Sequence, residues 1–273
     1  MTSHELFGSE IPGAYNPRLA IRELRASRVV QQNQPNKSLI ICTNPRAGSW
    51  MLCTGLAESG VAGYPVEYFI PWDEPGWLRL WGIENFEDFL RVMLLEGTSP
   101  NGIFSAKIMW GHVAHLLGRV AGIPRYRGLG APQLFPTIFP NAHYVWLSRR
   151  NILRQAVSHA RAIQTGIWAV TAPESDATVD MPDCDVGLIE RLYQEVSEQE
   201  RCWQQFFDGS HIQPLRLWYE DLVADYPGTL RQVLNYVQAP LPNDLDSFRP
   251  TVGRQSSSLN ERWVQLYRER RPS

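Results

Sequence analysis

Four short apolar runs divide the chain, at residues 38–43, 103–110, 143–148 and 215–219. Runs of this length are typical of parallel strands that are buried on both faces. A longer segment with helical spacing of apolar residues follows each run, and no hairpin turn separates two runs. The pattern therefore predicts four consecutive βα units, and hence an α/β fold with a central, mostly parallel sheet covered on both faces.

The helices are assigned from the same spacing and from capping residues at their ends. We predict helices over residues 17–32, 48–59, 85–96, 112–121, 151–165, 188–207, 227–238 and 259–270. Stretches rich in Pro, Gly or polar residues are predicted to be irregular, and these are 71–82, 122–140 and 240–258. Residues 169–187 indicate a mobile loop or lid, with disorder as the alternative.

The chain contains no internal repeat and no sign of a second core. We therefore predict a single domain over residues 1–273, in which residues 1–37 form an N-terminal arm before the core. This arm could pack on the core, cover the functional site or join a dimer, and the sequence does not choose between these.

Composition removes several classes of function. A net charge of −2 gives no general attraction to nucleic acid or to an anionic membrane. The four cysteines have neither metal-site nor disulfide spacing, so we predict reduced thiols in a cytoplasmic protein. The first 37 residues lack the apolar segment of a signal peptide, and no apolar run approaches the length that spans a membrane.

The turn after the first strand has the composition of an anion site. It reads Thr43-Asn44-Pro45-Arg46-Ala47-Gly48-Ser49 and leads directly into a predicted helix. A helix N-terminus presents free backbone N–H groups and a partial positive charge, and Arg46 adds a full one. We interpret the turn as a phosphate or phosphosulfate loop, and the alternative is an ordinary βα turn with a solvated arginine.

Basic residues recur where the predicted strands end, at Arg46, Lys107 and Arg149-Arg150. Parallel strands place their carboxyl ends at one edge of the sheet, so these cations should converge on an anionic ligand. The turn does not match a nucleotide-triphosphatase loop, a serine-hydrolase elbow or a dinucleotide-binding fingerprint. His112 and His115 have a spacing that can bind metal, but without a third ligand we interpret them as a surface pair.

The loop at 43–49 resembles the phosphosulfate loop of sulfotransferases that use 3′-phosphoadenosine 5′-phosphosulfate (PAPS). Arg150 with Ser158 is similar to the element of that family that holds the 3′-phosphate, and Trp218-Tyr219-Glu220-Asp221-Leu222 is similar to a stretch near the adenine. The bacterial trehalose 2-sulfotransferase-like family is more similar still. It shares these further blocks: Val61-Ala62-Gly63 with Pro65 and Glu67, Lys107-Ile108-Met109-Trp110, Arg161-Ala162-Ile163-Gln164-Thr165, and Arg254-Gln255 ahead of Glu261-Arg262-Trp263-Val264.

The resemblance implies a P-loop-like three-layer α/β/α fold, with PAPS as the sulfate donor, no metal and a homodimer. The 5′-phosphosulfate would be held by the loop residues Arg46, Ala47, Gly48, Ser49 and Trp50. The rest of the donor would be held by Arg150 and Ser158 at the 3′-phosphate, Arg254 and Gln255 closing over it, and Tyr219 near the adenine.

Lys107 would lie near the leaving oxygen, and Glu67 matches the family's catalytic base. Many animal-type sulfotransferases place a histidine two residues after this lysine, where this chain has Met109. A loop acid that makes only a cap or an ion pair is the alternative for Glu67.

We predict an enzyme that transfers a sulfuryl group to a hydroxyl of a sugar, trehalose-like, or of another small metabolite. Two departures from the family are Trp50, where a threonine is common, and the pair Tyr64 and Val66 around Glu67. The competing interpretations are a P-loop-like small-molecule kinase that uses ATP and a nucleotide-binding module without activity.

Overall fold

A four-stranded parallel sheet forms the centre of the protein. The computed structural model describes residues 34–168, 183–250 and 258–270. Its strands are β1 (Lys37–Thr43), β2 (Ile103–Met109), β3 (Ala142–Ser148) and β4 (Leu215–Trp218). They lie in the order β2-β1-β3-β4, and every neighbouring pair is parallel. The predicted βα order and parallel sheet are confirmed.

Helices connect the strands and cover the sheet. They are α1 (Ser49–Ser59), α2 (Glu74–Trp81), α3 (Phe86–Glu96), α4 (Val113–Val120), α5 (Ala131–Ile138), α6 (Ile152–Thr165), α7 (Val186–Gly209), α8 (Tyr219–Ala224), α9 (Tyr226–Tyr236) and α10 (Ser258–Arg270). Short 3₁₀ turns lie at Trp110–His112, Pro124–Tyr126 and Leu245–Ser247.

Alternate residues of β1 face two different cores, because side chains of a strand point to opposite faces of the sheet. Leu39 and Ile41 pack in a cluster with residues of α1 and α9. Ile40 and Cys42 pack in a second cluster with residues of α3, α5 and α7. Two helical layers therefore enclose the sheet, which confirms the predicted three-layer α/β/α arrangement. A third apolar cluster joins α6, α7 and α10.

Two predicted irregular stretches contain helices instead. Residues 71–82 include α2, and the stretch before Pro140 includes α5. Both helices carry a proline in the first turn, where the missing N–H would have had no helical partner. Trp77 of α2 and Phe135 of α5 are fully buried, so packing on the core outweighs the proline-rich composition.

Several predictions fall outside the described residues. These are the N-terminal helix at 17–32, most of the 169–187 loop and the site residues Arg254 and Gln255. Among the helices that the structure describes, none is both long and apolar enough to cross a membrane.

Candidate active site

The loop between β1 and α1 lies at the carboxyl edge of the sheet. Arg46 and Gly48 have φ angles of 65° and 82°, in the left-handed region, and α1 begins at Ser49. A Cβ atom added to Gly48 would lie 2.5 Å from Cδ2 of Tyr219. Glycine is therefore required at 48 for two reasons, because the backbone is left-handed and because the Tyr219 ring covers it.

Helix α6 holds this loop from the side. Nε of Arg46 donates a 3.1 Å hydrogen bond to Oγ of Ser158. Nε2 of Gln155 donates to the carbonyl of Pro45 at 2.7 Å. Arg46 and Ser158 were predicted to serve opposite ends of the donor, and the structure brings the two residues into contact.

Positive charge accumulates around Arg46. Burial, together with the charges of Arg161 and Arg149, lowers the pKa of Arg46 to about 10, while the charge of Tyr219 opposes the shift. Burial and the Arg46 charge also lower the pKa of His159 to about 4, so its imidazole is neutral at pH 7. Cations that repel one another at a buried position favour binding of an anion between them.

The two consecutive arginines after β3 have different neighbours. Arg150 is half-exposed and forms a bidentate pair with Asp221, with N–O distances of 2.8 and 2.7 Å. The guanidinium carbon of Arg149 lies instead 4.5 Å from the centre of the Tyr219 ring. In this structure Arg149, rather than Arg150, adds its charge to the Arg46 cluster.

Trp50 is the second residue of α1 and is partly buried. Its carbonyl accepts a hydrogen bond from Oγ1 of Thr54 at 3.1 Å. This backbone contact does not explain why tryptophan stands where the resembling family commonly has threonine.

A segment that pairs with the outer edge of β2 carries Glu67. Val66 and Ala106 form a parallel bridge, and N–H of Lys107 donates to the Val66 carbonyl at 2.9 Å. The approach depends on Gly63, whose φ is 71° and whose added Cβ would lie 2.6 Å from the Ser105 backbone nitrogen. The backbone pairing thus places Glu67 beside Lys107.

Both carboxylate oxygens of Glu67 have cationic or donor neighbours. Oε2 lies 2.7 Å from Nζ of Lys107, and Oε1 lies 3.1 Å from Nδ1 of His112. Burial alone would raise the pKa of Glu67, but Lys107 and His112 outweigh burial and lower it to about 2. Burial alone would lower the pKa of Lys107, but Glu67 raises it. Both partners are therefore charged at neutral pH.

The Glu67–Lys107 pair lies beside the helix that follows the anion loop. The thiol of Cys53 in α1 is buried, which raises its pKa to about 12, and it also experiences the charges of Lys107 and Glu67. The carboxylate and the lysine are therefore close enough to α1 for their charges to act on a side chain of that helix.

The interpretation of His112 and His115 as a surface pair is wrong. His112 is largely buried against Glu67, whereas His115 contacts Glu74 at 2.8 Å, and Glu74 also pairs with Arg119. Each histidine serves a different carboxylate, so the pair is not a shared metal site. The signal that could have identified His112 is its position three residues after the end of β2, at the ligand-binding edge.

Sequence reasoning also missed a polar network behind the loop. The Glu200 carboxylate in α7 accepts hydrogen bonds from Nδ2 of Asn44 at 2.8 Å and from the Ser148 hydroxyl, and it pairs with Arg216. The Arg216 guanidinium carbon also lies 3.3 Å from the centre of the Trp146 ring. This network ties the ends of β1, β3 and β4 to one helix. The signal would have been three polar residues, Asn44, Ser148 and Arg216, in or directly after apolar strands.

The described residues contain no group of three or more His, Cys, Asp or Glu side chains that could hold a metal ion.

Comparison with known proteins identifies the family of the chain. The chain is 26% identical over 261 residues to the trehalose 2-sulfotransferase of Mycobacterium tuberculosis (strain ATCC 35801 / TMC 107 / Erdman), covering 85% of this chain and 95% of that protein. It is 25% identical over 258 residues to the trehalose 2-sulfotransferase of Mycolicibacterium smegmatis (strain ATCC 700084 / mc(2)155), covering 84% and 93%. The model of the Stf0 sulphotransferase family matches residues 38–270, and the chain therefore belongs to that family.

Proposed function

We propose that this protein transfers the sulfuryl group of PAPS to a hydroxyl group of a carbohydrate, with Glu67 as the general base. The observation that carries the proposal is the 2.7 Å contact between Glu67 and Lys107, buried beside α1. It places a permanent carboxylate and a permanent cation together at the edge where the anion loop lies. Membership of a sulfotransferase family supports the same reaction class.

The residues around the loop fit a donor that is anionic at two ends. Arg46, Arg149 and Arg161 form a mutually repelling cation cluster, as a polyanion site requires. We assign the sulfate-bearing end to the backbone and side chains of Arg46, Ala47, Gly48, Ser49 and Trp50. We assign the rest of the donor to Arg150, Ser158, Tyr219, Arg254 and Gln255. PAPS supplies the sulfuryl group already activated on a phosphate leaving group.

Each residue of the site then has one task in the transfer. The acceptor oxygen forms a bond to sulfur while the bond from sulfur to the bridging phosphate oxygen breaks, and its electron pair stays on the phosphate. Lys107 and Arg46 stabilise the negative charge that grows there. Glu67 takes the hydroxyl proton, which becomes acidic as the new bond forms. The products are the sulfated acceptor and 3′-phosphoadenosine 5′-phosphate.

We propose a trehalose-like sugar as the acceptor, because both relatives above are named for trehalose. The Trp72 ring lies edge-on to His112, with ring centres 5.5 Å apart, and is 40% exposed. An exposed aromatic ring beside the base is suited to the apolar face of a sugar.

Transfer of labelled sulfate from PAPS to a panel of disaccharides and hydroxylated metabolites tests the proposal directly. No transfer to any acceptor, together with no binding of 3′-phosphoadenosine 5′-phosphate, would contradict it. Stabilisation of the protein by ATP and Mg²⁺, but not by 3′-phosphoadenosine 5′-phosphate, would favour the small-molecule kinase instead.

Glu67→Gln tests the assignment of the base. A glutamine cannot take the proton, so we expect turnover to fall by about 10²- to 10⁴-fold with nucleotide binding retained. Glu74→Gln is the matched control, since Glu74 is equally buried and paired with a histidine and an arginine. Near-full rates in Glu67→Gln would refute the assignment, and nucleotide binding without any sulfate transfer by the unaltered protein would favour the binding module.

A further inference from the structure

His112 and Lys107 approach the same carboxylate from two consecutive elements of the chain. Lys107 is on β2, and His112 ends the 3₁₀ turn that follows this strand. Each contacts its own oxygen of Glu67, and all three side chains are at most 15% exposed. The carboxylate is therefore held between two partners in an environment that excludes most water.

Two partners that stabilise the ionised carboxylate make it a weak base toward a hydroxyl group, which is why the pKa of Glu67 is low. Release of one partner raises its basicity for the transfer proposed above. Lys107 is the partner with a second task, because its cation is also needed at the leaving oxygen. His112 has no comparable task toward the donor, so its contact with Oε1 can persist while Oε2 becomes available.

The 3₁₀ turn that carries His112 is anchored to the end of β1. The Trp110 ring packs edge-on against the fully buried Trp203, with ring centres 4.9 Å apart. Nε1 of Trp203 donates to the carbonyl of Thr43 at 3.0 Å, immediately before the anion loop. The position of His112 is thus set by the same strand end that positions the loop.

We propose that His112 is the positioning residue of Glu67. Its Nδ1–H donates to Oε1 and keeps Oε2 directed at the acceptor hydroxyl when Lys107 turns toward the donor. The 3.1 Å contact is not aligned as an ideal hydrogen bond, and such contacts commonly tighten when substrates bind. This inference rests on the proposed function for its kinetic consequence, but the hydrogen bond itself can be tested without turnover.

The kinetic test compares two replacements of His112. His112→Leu removes the donor, and we expect kcat to fall by about 10- to 100-fold with little change in KM for PAPS, because a misplaced base costs rate rather than donor affinity. His112→Asn retains an N–H near the position of Nδ1 and should recover most of the rate. Equal losses in the two variants would overturn the proposal. His115→Leu, one turn further along and directed at Glu74, is the control.

A double-mutant cycle then asks whether His112 acts through Glu67. If it does, adding His112→Leu to Glu67→Gln should change the remaining rate by less than about threefold, because coupled residues are not additive. If His112→Leu lowered the rate of Glu67→Gln by as large a factor as it lowers the rate of the unaltered protein, the positioning role would be overturned.

The third measurement requires no activity. Long-range ¹H–¹⁵N NMR of the histidine rings should show His112 with the proton on Nδ1, and Glu67→Gln should shift this signal while leaving that of His115 in place. A proton on Nε2 of His112, or a His112 signal that does not shift in Glu67→Gln, would overturn the proposal. If sulfate transfer is absent but the shift is seen, the proposed function fails and the pairing stands.

Discussion

Arg46 donates a 3.1 Å hydrogen bond to Ser158, although 112 positions separate the two residues in the chain. The bond joins the anion loop to the middle of α6. It orients the guanidinium group of Arg46. The backbone of Arg46 has a φ of 65°, which is unusual for a residue with a side chain. The bond therefore connects two residues that were predicted to hold opposite ends of the donor.

Ser158→Ala is expected to weaken binding of 3′-phosphoadenosine 5′-phosphate. In the proposed assignment the hydroxyl donates to the 3′-phosphate while it accepts from Arg46, and loss of one hydrogen bond to a charged group costs about 1.5–3 kcal/mol, or roughly 10- to 150-fold in affinity. Isothermal titration calorimetry measures the change. Ser197→Ala is a suitable control, since that hydroxyl bonds only within α7, to the Tyr193 carbonyl. Equal affinity in both variants would contradict the role of Ser158.

The Arg150–Asp221 pair leads to a prediction about competition. Arg150 must leave Asp221 if it is to hold a phosphate, and this exposed pair is screened by water, so it competes only weakly with a bound ligand. Asp221→Asn should therefore tighten nucleotide binding slightly, and Arg150→Ala should weaken it. The Asp221→Asn effect should vanish in the Arg150→Ala background. Its persistence there would show that Arg150 does not bind the nucleotide.

Gly63→Ala should destabilise the protein and misplace Glu67. The new Cβ would meet the backbone of β2 at 2.6 Å, and backbone cannot move aside as a side chain can. Gly128→Ala is the matched control, because Gly128 has a φ of 77° but open space around it. Strain alone costs on the order of 1 kcal/mol, so urea unfolding should show a larger loss in Gly63→Ala. Equal losses would mean that the close approach is unimportant.

Stability should fall in two steps as the solution becomes acidic. The pKa of His159 is lowered from 6.5 to about 4, so its contribution is present above pH 6.5 and is lost as pH falls toward 4. The pKa of Glu67 is lowered from 4.5 to about 2, so its contribution is present above pH 4.5 and is lost below that.

His159→Gln separates the two steps. Glutamine does not titrate, so the free energy of unfolding should lose most of its pH dependence between 6.5 and 4 while the Glu67 step remains. The His159 step corresponds to about 3 kcal/mol at most, from the conversion of a pKa difference into free energy. Urea unfolding between pH 3 and 8 measures both steps. An unchanged slope above pH 4.5 in the variant would contradict the assignment.

The predictions that held are those with a local cause. Apolar runs identified all four strands, and Asn151 identified the start of α6 because its side chain caps the helix at the Arg154 N–H. The sequence also placed Arg46 and Lys107 at one edge, since parallel strands end there. The single domain, the cytoplasmic location and the homodimer stay predictions.

The predictions that failed involved burial that composition does not show. Proline and tryptophan between residues 71 and 82 suggested a loop, but Trp77 packs in the core and stabilises α2. The sequence does not distinguish His112 from His115, because the two histidines lie three residues apart on one predicted helix. In the structure they contact different carboxylates, since His112 contacts Glu67 and His115 contacts Glu74.

The sequence by itself determined the fold class, because the fold class depends on the periodicity of apolar residues. It predicted the anion loop from its composition, and the resemblance to a family named Glu67 as the candidate base. Only the tertiary structure decided which residues touch. The parallel bridge between Val66 and Ala106 brings Glu67 into contact with Lys107, and the turn after β2 places His112 against the same carboxylate. Such contacts depend on the register of segments far apart in the chain, which no local pattern encodes.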